Sequence, residues 1–183
     1  MKKLCVLPLA AAALVLAACS SEKPGSASPA PSAPPAQTGG SSSAPATGGG
    51  DTKSIDPCSL LSAADLSSYG TFKDPVTLNE GGARACQFSK EAASASDSLT
   101  VSVDLRDTQN IDSVNDGGNG KTTGNVNGRK AVLVPKPPSG CLMALELTAS
   151  ARADVLVDAT DPKQACEVAE KVADTVEPKL PKG

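Results

Sequence analysis

The chain has 183 residues, 20 acidic against 17 basic, a formal net charge of −3, and no histidine. Nucleic acid is disfavoured as a partner, because phosphate binding needs a concentrated basic face and Arg129-Lys130 is the only adjacent basic pair beyond Lys3. The lack of histidine removes Ser-His and Cys-His nucleophile pairs, His-ligated metal sites and the commonest general base, so most hydrolase chemistries are disfavoured and no cofactor is expected.

The N-terminus carries a targeting signal. Lys2 and Lys3 form a positive head, and Leu4 to Leu16 an apolar run too short to span a bilayer of about 30 Å. Leu16-Ala17-Ala18-Cys19 then fits a lipobox at all four positions. Residues 1–18 are therefore expected to be cleaved, taking Cys5 with them, and the Cys19 thiol to carry a diacylglyceryl group. Two or three acyl chains would anchor the protein on the extracytoplasmic face of the cell membrane.

Residues 20–54 are almost wholly Ser, Ala, Pro, Gly and Thr, which cannot bury enough apolar surface to offset ordering entropy. They read as a disordered tether reaching about 30 to 35 Å on average. The composition changes at Ile55, and residues 55–183 read as one globular domain, expected to be a monomer.

Within it, Asp56 caps and Pro57 opens a short helix carrying Cys58, Leu60 and Leu61, with a restart at Ser62-Ala63-Ala64-Asp65 and an end at Gly70. Ala85 to Ser89 is a candidate strand. Leu99, Val101, Val103 and Leu105 alternate with polar residues, predicting a strand with one wet face. Arg106 to Asn127 is a long polar connection, mobile or partner-binding, in which Ile111 and Val114 anchor a helical turn.

Lys130 to Val134, Cys141 to Leu147 and Ala153 to Asp158 read as three more strands, the first two joined through the turn at 135–140. Asp161-Pro162 starts a last helix, whose apolar stripe is Ala165, Val168, Ala169, Val172, Val176 and Leu180. The expected fold is α+β: a small antiparallel sheet flanked by N- and C-terminal helices.

Only one Tyr and two Phe supply aromatic bulk, and Trp is absent. Cross-links therefore matter more than usual. Cys58, Cys86, Cys141 and Cys166 read as two disulfides with three possible pairings; the close Cys-x-x-Cys pairs of a zinc site are missing. Joining sequence neighbours, Cys58 with Cys86 and Cys141 with Cys166, is the expected arrangement, each bond contributing about 3 to 4 kcal/mol.

Catalytic motifs fail on inspection. Gly117 to Thr122 ends like a phosphate loop, but the first glycine would have to stand at Asn115. Asp112 to Gly117 starts like a calcium loop, yet Val114 occupies a ligand position and Thr123 stands where Glu belongs. Ser59, Ser62 and Ser139 have no base, and Gly-x-Ser-x-Gly is absent. Glu146, Asp154 and Asp158 could pair as carboxylates, but on the wet face of a sheet they are expected to meet solvent.

Asp56-Pro57-Cys58-Ser59-Leu60-Leu61, Arg84-Ala85-Cys86-Gln87-Phe88, Gly128-Arg129-Lys130-Ala131 and a late Ala165-Cys166 together resemble actinobacterial lipoproteins of the domain of unknown function 3558 family (DUF3558). Relatives often carry Trp after the second cysteine, where this chain has Phe88 one residue further on. The resemblance implies a small extracytoplasmic domain with paired cysteines and supplies no activity. The expected function is a membrane-anchored binding or accessory module for an envelope protein, glycan or small molecule. The alternatives are a carboxylate-dependent envelope hydrolase using Glu146 or Asp154, and a purely structural or immunity-type lipoprotein.

Overall fold

The computed structural model describes residues 52–182. The expected signal peptide of residues 1–18, the expected lipidation site Cys19 and residues 20–51 of the expected tether lie outside the described residues.

The N-terminal segment is a chain of tight turns and not the expected helix. Its hydrogen bonds run from residue i to i−3: Ser59 to Asp56, Leu60 to Pro57, Leu66 to Ala63, Tyr69 to Leu66. Two start signals fall within seven residues and each closes its own turn. Asp56 Oδ1 accepts from the Cys58 amide at 3.0 Å. Ser62 and Asp65 cap each other reciprocally, the Ser62 amide reaching Asp65 at 3.0 Å and the Asp65 amide reaching Ser62 Oγ at 3.3 Å. Such local side-chain bonds compete with helix propagation. The turns still bury Leu60, Leu61 and Leu66. An earlier 3₁₀ turn, Thr52–Ser54, also packs on the domain and buries Thr52, just before the expected boundary at Ile55.

Seven antiparallel strands follow: β1 Val76–Glu80, β2 Ala83–Ser89, β3 Thr100–Arg106, β4 Thr122–Val126, β5 Arg129–Lys136, β6 Gly140–Glu146 and β7 Arg152–Asp158. Their order across the sheet is β1-β2-β3-β7-β6-β5-β4. The five expected strands are all present, and the two that composition did not signal, β1 and β4, form the edges. Both are mostly solvent-exposed, so neither shows the alternation a half-buried strand imposes.

Cross-strand register sorts the residues onto two faces. Cys86, Val103, Val155 and Met143 share the first face, and Ala85, Asp104, Asp154 and Ala144 share the second. On the first face lies the main core, including Phe88, Val101, Val103, Leu105, Met143, Leu145, Val155 and Val157. Helix α1, Pro162–Val176, covers it with Ala165, Val168, Ala169, Val172, Ala173 and Val176. Asp161 caps α1 by accepting from the Lys163 and Gln164 amides at 3.3 Å. Both disulfides reach this face: Cys58–Cys86 joins the first turns to β2, and Cys141–Cys166 joins β6 to α1, each with Cα atoms 5.0 Å apart.

The β3–β4 connection owes its length to topology. From β3 it must pass β7, β6 and β5 to reach the far edge, about 19 Å at four strand spacings. It crosses the second face, where Ile111 and Val114 bury against Val132, Val134, Leu142 and Ala144 as a second apolar cluster. The anchoring turn expected at Ile111 is present as Ile111–Ser113, capped by Asn110. The rest of the segment from Thr122 to Val126 is strand, not loop.

Candidate functional site

The second face brings four charges together. Arg106 lies directly opposite Arg152, and Asp104 opposite Asp154. Like charges in direct cross-strand positions repel, and the side chains resolve this by sharing Asp154, diagonally from Arg106 and along β7 from Arg152. Arg106 Nε donates to Asp154 Oδ2 at 2.6 Å, and Arg152 Nε donates to Asp154 Oδ1 at 2.8 Å. Arg106 Nη2 stands 3.8 Å from Asp104. The outer nitrogens of Arg152 hold the crossing segment, donating to Asn110 O at 2.9 Å, Ser113 Oγ at 2.8 Å and Gln109 Oε1 at 3.2 Å.

This corrects the expectation that Asp154 meets solvent. Its side chain is 2 % exposed, because the crossing segment closes over it. Both oxygens are committed to guanidinium donors, so Asp154 has no open apolar pocket in which to act as acid or base. Glu146 is half-exposed, 4.0 Å from Lys130. Asp158 is exposed and pairs with Gly140, while Glu146 pairs with Arg152. Six residues of strand, about 20 Å, therefore separate the two carboxylates. Burial pushes the Asp104 carboxyl above the usual carboxylate range, against a hydrogen bond from Ser102 and the Arg106 charge.

Two further arginines, in the segments that carry the family resemblance, close the ends of the domain. Arg84 donates to Asp107 through Nε at 3.0 Å and Nη2 at 3.1 Å, to Ile55 O at 2.6 Å and to Thr52 O at 2.8 Å. The bond from Arg84 holds the Asp107 carboxyl below its ordinary range. Arg129 donates to Glu177 at 2.9 Å, to Glu146 O at 2.8 Å and to Pro181 O at 2.8 Å. These are structural ties, each collecting backbone carbonyls from segments distant in sequence.

A cleft of about 260 Å³ opens where the turn Ser67–Tyr69, the loop 96–98 and the start of α1 meet. Tyr69, Ser98, Thr160 and Gln164 line it beside the Lys90–Asp97 ion pair. Gly70 makes room for that pair: at φ +126° it lets Lys90 pass so close that a Cβ would stand 2.7 Å from Cε. Desolvation raises the Tyr69 phenol above its usual range. Composition alone could not reveal this site, since its residues come from three separated segments.

Among the described residues no group of His, Cys, Asp and Glu could hold a metal ion, and no helix is long and apolar enough to cross a membrane. Every buried side-chain nitrogen and oxygen there has a hydrogen-bond partner.

Fold and site together define a disulfide-stapled α+β domain with one antiparallel sheet, whose interior charges are paired structurally. The family described as protein of unknown function (DUF3558) matches residues 14–179, and the chain belongs to that family. No curated protein and no solved structure matches it.

Proposed function

We propose that the chain is an actinobacterial-type lipoprotein, anchored through Cys19 on the extracytoplasmic face, whose stapled domain acts by binding an envelope component. One observation carries the choice of binding over catalysis. The buried carboxylate that a hydrolase would need, Asp154, is closed between Arg106 and Arg152. What remains for function is the outer surface, which includes the exposed 115–121 part of the crossing segment. The family match spans Cys19 and the tether as well as the domain, which supports the anchored arrangement.

Two arms test this reading. Cys19→Ser should abolish palmitate labelling and release the protein from membranes or leave it uncleaved; labelling that persists removes the anchor. Glu146→Gln, at a half-exposed position, should leave capture of the envelope component unchanged. Turnover of a substrate that stops in Glu146→Gln removes the binding reading in favour of a hydrolase.

A further inference from the structure

We infer that the cleft at Tyr69 binds one ring of a neutral saccharide; this deepens, and rests on, the reading of the domain as a binding module. The first ground is aromatic. The chain has one Tyr, two Phe and no Trp, and both Phe72 and Phe88 are buried. Tyr69, half-buried, is thus the one aromatic ring that reaches solvent, and it does so in this cleft. Sugar rings present a face of C–H groups that packs on an aromatic ring while their hydroxyls point sideways, and Tyr combines an apolar body with a polar tip.

The second ground is the free polar lining. Ser68, Ser98, Thr160 and Gln164 line the cleft, and none of their side chains makes a hydrogen bond to another described residue. Three hydroxyls and an amide each offer both donor and acceptor, the combination that a vicinal diol requires.

The third ground is charge. Lys90 and Asp97 are the charged groups of the lining, and they neutralise one another. An anion would have to break that pair, and an apolar ligand would strand the hydroxyls; a neutral polyol does neither. The volume of about 260 Å³ falls just below the roughly 300 Å³ at which pockets for drug-sized ligands begin, which suits a single ring with the rest of a glycan outside. The walls are set by Gly70, by the Lys90 amide donating to Leu99 O at 2.9 Å and by the Glu91 amide donating to Thr71 O at 2.8 Å.

Tyr69 also supplies the assay, because without Trp it dominates the intrinsic emission of the chain. The full chain in detergent is titrated with the methyl glycosides of glucose, mannose, galactose and arabinofuranose. Tyrosine emission and ligand-observed saturation-transfer NMR are read. At least one glycoside should give a saturable change. Tyr69→Phe should keep the NMR transfer, Tyr69→Ala should weaken affinity about tenfold, and Gln164→Ala about fivefold.

Should Tyr69→Ala fail to fold, Gln164→Ala and Ser98→Ala, both at exposed positions, carry the test. No saturable change with any of the four glycosides, or affinity unaltered by these variants, overturns the cleft assignment. If envelope capture persists in that case, the binding-module reading stands alone. Hydrolysis of the added glycosides would instead overturn the binding reading.

Discussion

Asp154→Ala is the most demanding test of the second face. The substitution removes the shared counter-ion of Arg106 and Arg152, whose side chains are 18 % and 6 % exposed. Two guanidiniums that sit directly opposite across β3 and β7 are left facing each other, one of them almost without solvent. Breaking a buried ion pair by deleting one partner costs about 3 to 5 kcal/mol. For a domain of this size that is a fall in Tm of about 11 to 18 °C. The damage should be local first. Arg152 also holds Gln109, Asn110 and Ser113, so amides in that segment should exchange faster while those of β6 and β7 change least. The assays are thermal and urea unfolding with disulfides intact, and hydrogen exchange by mass spectrometry. Arg152→Met combined with Asp154→Leu should lose less than the sum of the two single changes, since the pair is coupled. A loss below about 1 kcal/mol for Asp154→Ala, a value typical of exposed pairs, or unchanged exchange around Asn110, would refute the hold of the Asp154–Arg152 pair on the crossing segment.

Three further outcomes follow from the same geometry. Asp104→Asn should raise stability at pH 7: burial lifts the folded carboxyl above its ordinary 3.8, so the wild type loses stability as pH rises from 3.8 through the folded value. The gain should vanish below 3.8, where both proteins are neutral at this position; urea midpoints across pH measure it, and a gain that persists at low pH refutes the cause. Phe88→Ala, at a side chain with 0 % exposure, should cost about 3 to 5 kcal/mol by cavity formation, read by urea unfolding. Replacing residues 110–125 with a Gly-Ser linker should destabilise by at least about 3 kcal/mol, since it uncovers Ile111 and Val114, each worth about 1.5 to 3 kcal/mol, and removes most of β4; near-neutral melting would show that the crossing segment is ornamental.

How much of this was legible in the sequence depended on whether a residue's environment was local. The strand around Val101, Val103 and Leu105 announces itself because one face is buried and the other wet, and the α1 stripe does so at helical spacing. Sequence proximity happened to match spatial proximity for the cysteines, so joining neighbours anticipated both disulfides. The N-terminal segment misled because Asp56, Ser62 and Asp65 are good helix starters that sit too close together. The edge strands β1 and β4 were silent because edges have little burial to pattern them. Least legible was Asp154. Whether it meets water depends on a segment more than forty residues away crossing above it, and that path is set by strand order.

The strand order also explains why a chain so poor in aromatic residues needs its arginines. Two antiparallel ribbons, β1-β2-β3 and β4-β5-β6-β7, meet only at the β3–β7 seam, and the chain between them spans about 19 Å across four strand spacings. A core built chiefly of Leu, Val and Ala offers little bulk to hold such a span. Arg106 and Arg152 sit on the seam, and Arg152 ties the start of the crossing segment to it; Arg84 ties the N-terminal turns to Asp107, where the crossing begins; Arg129 ties β5 to the C-terminal turn. Each guanidinium gathers several oxygens from segments distant in sequence, which a planar multi-donor group does better than lysine. These charges are therefore part of the scaffold, and their removal should change stability before it changes recognition. Ser98, Thr160 and Gln164 have the opposite profile: their side chains make no hydrogen bond to another described residue, so their loss should change recognition before stability, whereas Tyr69 also packs against the main core. Comparing the two sets under one melting assay and one glycoside titration separates scaffold from site on this domain.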